Sequence, residues 1–150
     1  LPFIVRLGLA LSNLWGHIGS AAGLLASVSS IFVGIFSMER MEPHRKAAMT
    51  FFRSGLLTVL FFTISVFVQS SDQRAIPLIV NVFGILAIAA YSAFLLIVRK
   101  KTDKHGEENY LLDPAEKKTR PRFWRTPFLE WMLFFATMAW FLSVSLILIV

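Results

Sequence analysis

Between short charged clusters this chain carries four stretches of about twenty almost uncharged residues, each long enough to cross the roughly 30 Å hydrocarbon core of a bilayer as a helix. They lie near residues 17–37, 47–68, 76–98 and 128–150. Inside lipid no water satisfies the backbone, so a spanning segment must make its own hydrogen bonds, and a helix does so within one segment. The fold expected is an all-α, polytopic transmembrane helical bundle, with residues 1–150 forming one transmembrane domain. Composition supports the same solvent. Hydrophobic residues make up 56% of the 150, and only 16% are charged, against about a quarter in an ordinary globular domain. The mean hydropathy is +0.67.

The connections are equally informative. Pro43, Pro77, Pro114, Pro121 and Pro127 all fall between the apolar runs or in their first turns, where proline is tolerated. Residues 1–15 admit three readings: an extension of the first span, an interfacial segment, or the end of a preceding connection. The uncharged run from Leu7 to Ser37 is too long for one untilted span. The chain opens on Leu1-Pro2 and closes within the apolar Leu146 to Val150, the pattern expected of a piece of a longer five- or six-span protein.

Charge sets the expected orientation. The net charge is +6. The basic polar loop 99–127 holds Arg99, Lys100, Lys101, Lys104, Lys117, Lys118, Arg120, Arg122 and Arg125, and the first connection holds Arg40, Arg45 and Lys46. The opposite side has Arg6 and Arg74. The positive-inside rule then makes loops 38–46 and 99–127 cytoplasmic. The same cations imply membrane lipids as partners, with anionic headgroups at the basic loop. Nucleic acid is not expected, because no basic face with interleaved stacking aromatics lies outside the spans.

Chemistry-bearing motifs are sparse. The sequence has no cysteine, which excludes disulfides and thiolate metal sites. His17 and His44 stand at opposite ends of the first span, and with His105 they are the only histidines, so no shared metal or haem site is expected. The sequence contains no HExxH, GxSxG, Walker loop or glycine-rich nucleotide fingerprint. No catalytic, cofactor-binding or metal residues are therefore assigned, and no cofactor.

Four other features stand out. Gly16, Ser20, Gly23, Ser27, Ser30 and Gly34 form a heptad seam of small residues along the first span, which lets another helix approach closely. Arg53 in the second span and Glu130 in the fourth belong to the same half of the membrane and form a candidate charge pair, since an unpaired charge there is costly. Arg53 could equally snorkel to the surface, with Glu130 favoured by the positive end of its own helix. Asn81 in the third span is a candidate for interhelical hydrogen bonding. In the long connection Glu107, Leu111 and Leu112 have the form of an acidic dileucine sorting signal, to be weighed against a solvated loop resting on the interface. If the organism is eukaryotic, that form implies an endolysosomal or plasma-membrane address.

The run GIFSMERMEPHRKAAMTFFRSG, ending at Gly55, resembles the stretch joining two central helices in the DRAM-like family of multi-span membrane proteins, the autophagy modulators and their GPI-remodelling relatives. The likeness rests on His44, Ala48, Phe52 and Gly55 at offsets of four, eight and eleven, with Arg74 before the third span and Glu130-Trp131 opening the fourth. The resemblance implies a non-catalytic membrane regulator or lipid-associated scaffold. The family's six-span arrangement would place the 38–46 turn outside, whereas the charge count places it inside, and the charge count sets the topology adopted. Two other functions are carried beside it: an accessory subunit of a larger membrane complex with partner membrane subunits, and a lipid-modifying enzyme or transporter with a midplane cavity at Asn81 and Arg53.

Overall fold

The computed structural model describes residues 2–36, 40–69, 77–105 and 125–149. These form five helices, with no strand among the described residues: α1 (Pro2–Leu11), α2 (Leu14–Ile35), α3 (Met41–Val68), α4 (Val80–His105) and α5 (Arg125–Ile149). The last four are long and apolar enough to cross a membrane, over Leu14–Ile35, Glu42–Val68, Val80–Arg99 and Phe128–Leu146. They correspond to the four expected spans. The polar ends differ: α3 starts earlier than hydropathy predicts and α4 runs on through basic residues to His105, because a helix needs its backbone bonds and not an apolar side chain at every turn.

Residues 1–15 resolve the open question in a different way from a simple extension. Ile4, Leu7, Gly8 and Leu11 make one buried face of a separate ten-residue helix, at helical spacing. At Ser12 φ is +42°, the left-handed conformation that terminates α1. Asn13 then caps α2, its Oδ1 accepting from the Gly16 N–H at 2.9 Å. The chain thereby reverses, and α1 packs back along α2 with Gly8 beside Ser20 and Ile4 against Gly23. The Ser20 hydroxyl donates to the Ile4 carbonyl at 3.2 Å, fixing the register.

The remaining helices pack in chain order. Glycines set the closest approaches. Gly19 lies under the Phe62 ring of α3, where an added Cβ would stand 3.1 Å from Cδ1. Gly55 of α3 faces Tyr91 of α4, and Gly84 of α4 faces Thr63 of α3, so α3 and α4 run antiparallel. Phe52 and Phe94 continue that seam with centroids 4.4 Å apart. Tyr91 reaches on to α5, where the Thr137 side chain is its hydrogen-bond partner. Trp140 of α5 stacks on Phe62 at 6.0 Å, and Phe141 meets Phe3 of α1 edge-on at 5.4 Å, which closes the bundle. The core so formed centres on Leu7, Leu11, Val59, Phe62, Ala87 and Trp140.

The outer surface is apolar. Leu25, Ile31, Ile85, Phe135 and Leu142 are each more than half exposed. A monomer in water rarely exposes contiguous apolar patches of more than a few hundred Å². A bundle whose solvent is lipid has no such limit.

Candidate functional site

The small-residue seam divides. Its first half, Gly16, Ser20 and Gly23, is occupied by α1 and α3: a Cβ on Gly16 would meet Leu11 at 3.0 Å and Ser65 Oγ at 3.3 Å, and one on Gly23 would meet Ile4 at 2.7 Å. Its second half is not occupied in this way. Ser27 donates to its own helix at the Gly23 carbonyl, Ser30 and Gly34 are exposed, and no atom lies within 4 Å of a Cβ on Gly34. Toward that end the buried line of α2 passes instead through Ala26 and Ser29.

At the α1–α2 turn a polar cluster ties three helices. Asn13 Oδ1 accepts from Ser65 Oγ at 2.7 Å while Asn13 Nδ2 donates to the Ser65 carbonyl at 3.2 Å. Gln69 Nε2 donates to the Leu11 carbonyl, the last of α1, at 3.2 Å. These amides complete helix ends that would otherwise be left unsatisfied in an apolar setting. His17 is exposed near this end. His44 is at the other, with its Nδ1 2.8 Å from the Phe36 carbonyl, where it caps the end of α2. No group of three or more metal-ligating side chains occurs among the described residues.

Arg53 and Glu130 are both exposed, and no ion pair joins them. Nor do Arg53 and Asn81 share a cavity. Because Gly55 faces Tyr91 and Thr63 faces Gly84, Arg53 lies beyond one end of that seam and Asn81 beyond the other, about 20 Å apart along α3. Asn81 is 2% exposed, and neither its Nδ2 nor its Oδ1 has a hydrogen-bond partner, so the interhelical bond expected of it is not made. Thr63 Oγ1, which faces Gly84, is likewise buried and unpartnered.

The family-like residues form a stripe. Offsets of four, eight and eleven place His44, Ala48, Phe52 and Gly55 along one face of α3. Three of them have packing roles: His44 caps α2, Phe52 packs against Phe94 with the rings tilted, and Gly55 admits the Tyr91 hydroxyl. Trp131 is elsewhere, 61% exposed on α5 and stacked on Phe135 at 5.8 Å. Glu107, Leu111 and Leu112 lie outside the described residues, as does the basic loop from 106 to 124.

One concavity opens beside that stripe. Ser29, Phe32 and Phe36 of α2, with Pro43, Lys46, Ala47 and Thr50 of α3, line a shallow, open and mostly apolar groove of about 390 Å³. Phe32 and Phe36 stack on each other at 5.9 Å. Lys46 pairs with Glu42 one turn away, and both side chains are largely exposed. Sequence reading had no access to this groove, because it depends on how α2 and α3 are rotated about their axes. No family model, curated protein or solved structure matches the chain.

Proposed function

We propose that the chain is an integral membrane protein acting as a non-catalytic regulator or lipid-associated scaffold, the role that its resemblance to DRAM-like proteins implies. The observation that carries the reading is where the polar side chains go. Asn13, Ser54, Thr58, Ser65 and Thr137 spend their hydrogen bonds on helix ends and helix backbones, while the outward faces are apolar and end in cations at Arg40, Lys46 and Arg99. Such a body has a fixed interior and a surface suited to lipid. By the positive-inside rule the end carrying Arg40, Lys46 and Arg99 faces the cytoplasm.

A second reading has its own support. Ser30 and Gly34 leave half of the small-residue seam open, and Trp131, Phe134 and Phe135 form an exposed aromatic face on α5, as an accessory subunit of a membrane complex would. Purification in native nanodiscs followed by intact-mass analysis separates the two. A single chain carrying reproducible lipid is the expected result. A stoichiometric protein partner would replace the first reading with the second.

A further inference from the structure

We infer that copies of this chain associate side by side in the membrane, the α3 face carrying Arg53 of one copy packing on the α5 face carrying Glu130 of the next. The inference goes beyond the proposed function and does not depend on it. It starts from two opposite charges, both exposed within the spans and neither held by an ion-pair partner among the described residues.

The two charges lie at a similar depth. Consecutive spans alternate in direction, so α3 and α5 run the same way, and Phe62 of α3 stacks on Trp140 of α5. Counting back nine residues to Arg53 and ten to Glu130 carries them about 14 Å and about 15 Å toward the same end. The Tyr91 contacts with Gly55 and Thr137 set Arg53 deeper by about 8 Å, and the long arginine side chain shortens that difference because it leans toward its helix N-terminus. One chain cannot pair them. Arg53 is about two and a half helical turns from Phe62, so it points away from α5 while Phe62 points at it.

A charge inside a span is costly unless paired or solvated. The local remedies are weak here. α5 begins at Arg125, so Glu130 lies beyond the first turn, where the helix-end charge has fallen off. Arg53 lies about 9 Å inside the apolar stretch that starts near residue 47, so it reaches the surface only at full extension. A lipid headgroup would answer one charge of the two and would have to descend to it. A second copy answers both through one contact, in a low dielectric that strengthens the attraction.

The surrounding faces fit that occupant. Thr50, Arg53 and Leu57 are exposed along one line of α3, at offsets of three and four. Glu130 is flanked on α5 by the exposed Trp131, Phe134 and Phe135. A guanidinium is matched by aromatic faces as well as by a carboxylate. Because the two faces differ, the contact is heterologous: it repeats from copy to copy and closes into a ring where the rotation allows.

The lack of cysteine permits a direct test. Leu57→Cys and Phe134→Cys stand one turn beyond the two charges, at exposed positions, and leave both charges in place. The two whole chains are mixed in vesicles and treated with a short bismaleimide. Crosslinked dimer is expected from the mixture and not from either variant alone. Arg53→Glu in the first chain, or Glu130→Arg in the second, should cut the yield at least about tenfold, because like charges then meet. The two exchanges together should restore it. Arg53→Gln and Glu130→Gln, each of which should also lower the yield, serve if a reversed charge does not fold. Equal crosslinking of Leu57→Cys chains with one another, which collision or a symmetric contact would give, overturns the inference. So does a yield that the single exchanges leave unchanged or the double exchange does not restore. Copies of one chain share one mass, so a foreign partner found in nanodiscs would count against the scaffold reading and leave this test interpretable.

Discussion

Replacing Gly55 with alanine should destabilise the bundle although alanine is the better helix former. In a helix interior the exchange alone gains about 1 kcal/mol. Here the new Cβ would stand 2.6 Å from the Tyr91 hydroxyl oxygen, 3.0 Å from Cζ and 3.1 Å from Cε1. Tyr91 is 2% exposed and held against Thr137, so the ring has nowhere to retreat and α3 and α4 must move apart. Overpacking of this kind costs about 1–3 kcal/mol, which leaves a net loss of about 1 kcal/mol. Gly34 provides the internal control, because nothing lies within 4 Å of a Cβ there and Gly34→Ala should show only the gain. The two variants should therefore differ by about 2 kcal/mol in opposite directions. Unfolding in mixed micelles of rising denaturing-detergent content, followed by tryptophan fluorescence, measures both. Tyr91→Phe removes the nearest atom, so the double variant with Gly55→Ala should be more stable than the two single changes sum to. If Gly55→Ala proves as stabilising as Gly34→Ala, the described α3–α4 contact is wrong.

Three further outcomes follow from particular contacts. Asn13→Ala removes the α2 cap and leaves Ser65 Oγ without its acceptor, so the same unfolding assay should show a loss of about 1–3 kcal/mol. Asn81→Leu replaces a buried amide that has no partner with an apolar group of similar size, and the melting temperature should hold or rise. Trp140→Ala removes the ring that stacks on Phe62 and packs at a tilt against Phe141, and should cost about 3–5 kcal/mol, read as loss of folded protein on size-exclusion chromatography.

What could be read from the sequence was length and solvent, and what could not was rotation. Four uncharged runs suffice for four spans, since the backbone of each must be satisfied within the segment. Which face of each helix points inward is decided by neighbours. The heptad seam was legible as far as Gly23 because α1 packs on it, and it fails at Ser30 and Gly34, where no described helix follows. The α1–α2 turn at Ser12 and Asn13 was not read from the sequence, because both residue types are common in many local settings and the reversal depends on long-range bonds from Asn13 and Gln69. Arg53 and Glu130 were paired by depth alone. Depth follows from residue counting, whereas pairing needs the two helix faces to meet, and here both point outward. The groove was hidden for the same reason: Phe32, Phe36 and Ala47 read as ordinary span residues until α2 and α3 are set side by side.

The absence of cysteine makes the central claim directly measurable, since any introduced thiol is unique. Single cysteines at Ser12, Arg40, Leu78 and Arg99 would report the ends of α2 and α4, and those at Leu25, Ile85 and Phe135 the exposed apolar mid-helix positions. In sealed vesicles a membrane-impermeant maleimide should reach positions 12 and 78 from one side and positions 40 and 99 from the other, and leave 25, 85 and 135 unlabelled until detergent is added. Labelling of positions 12 and 40 from the same side, or of 25 and 85 in intact vesicles, would contradict a bundle that spans the bilayer.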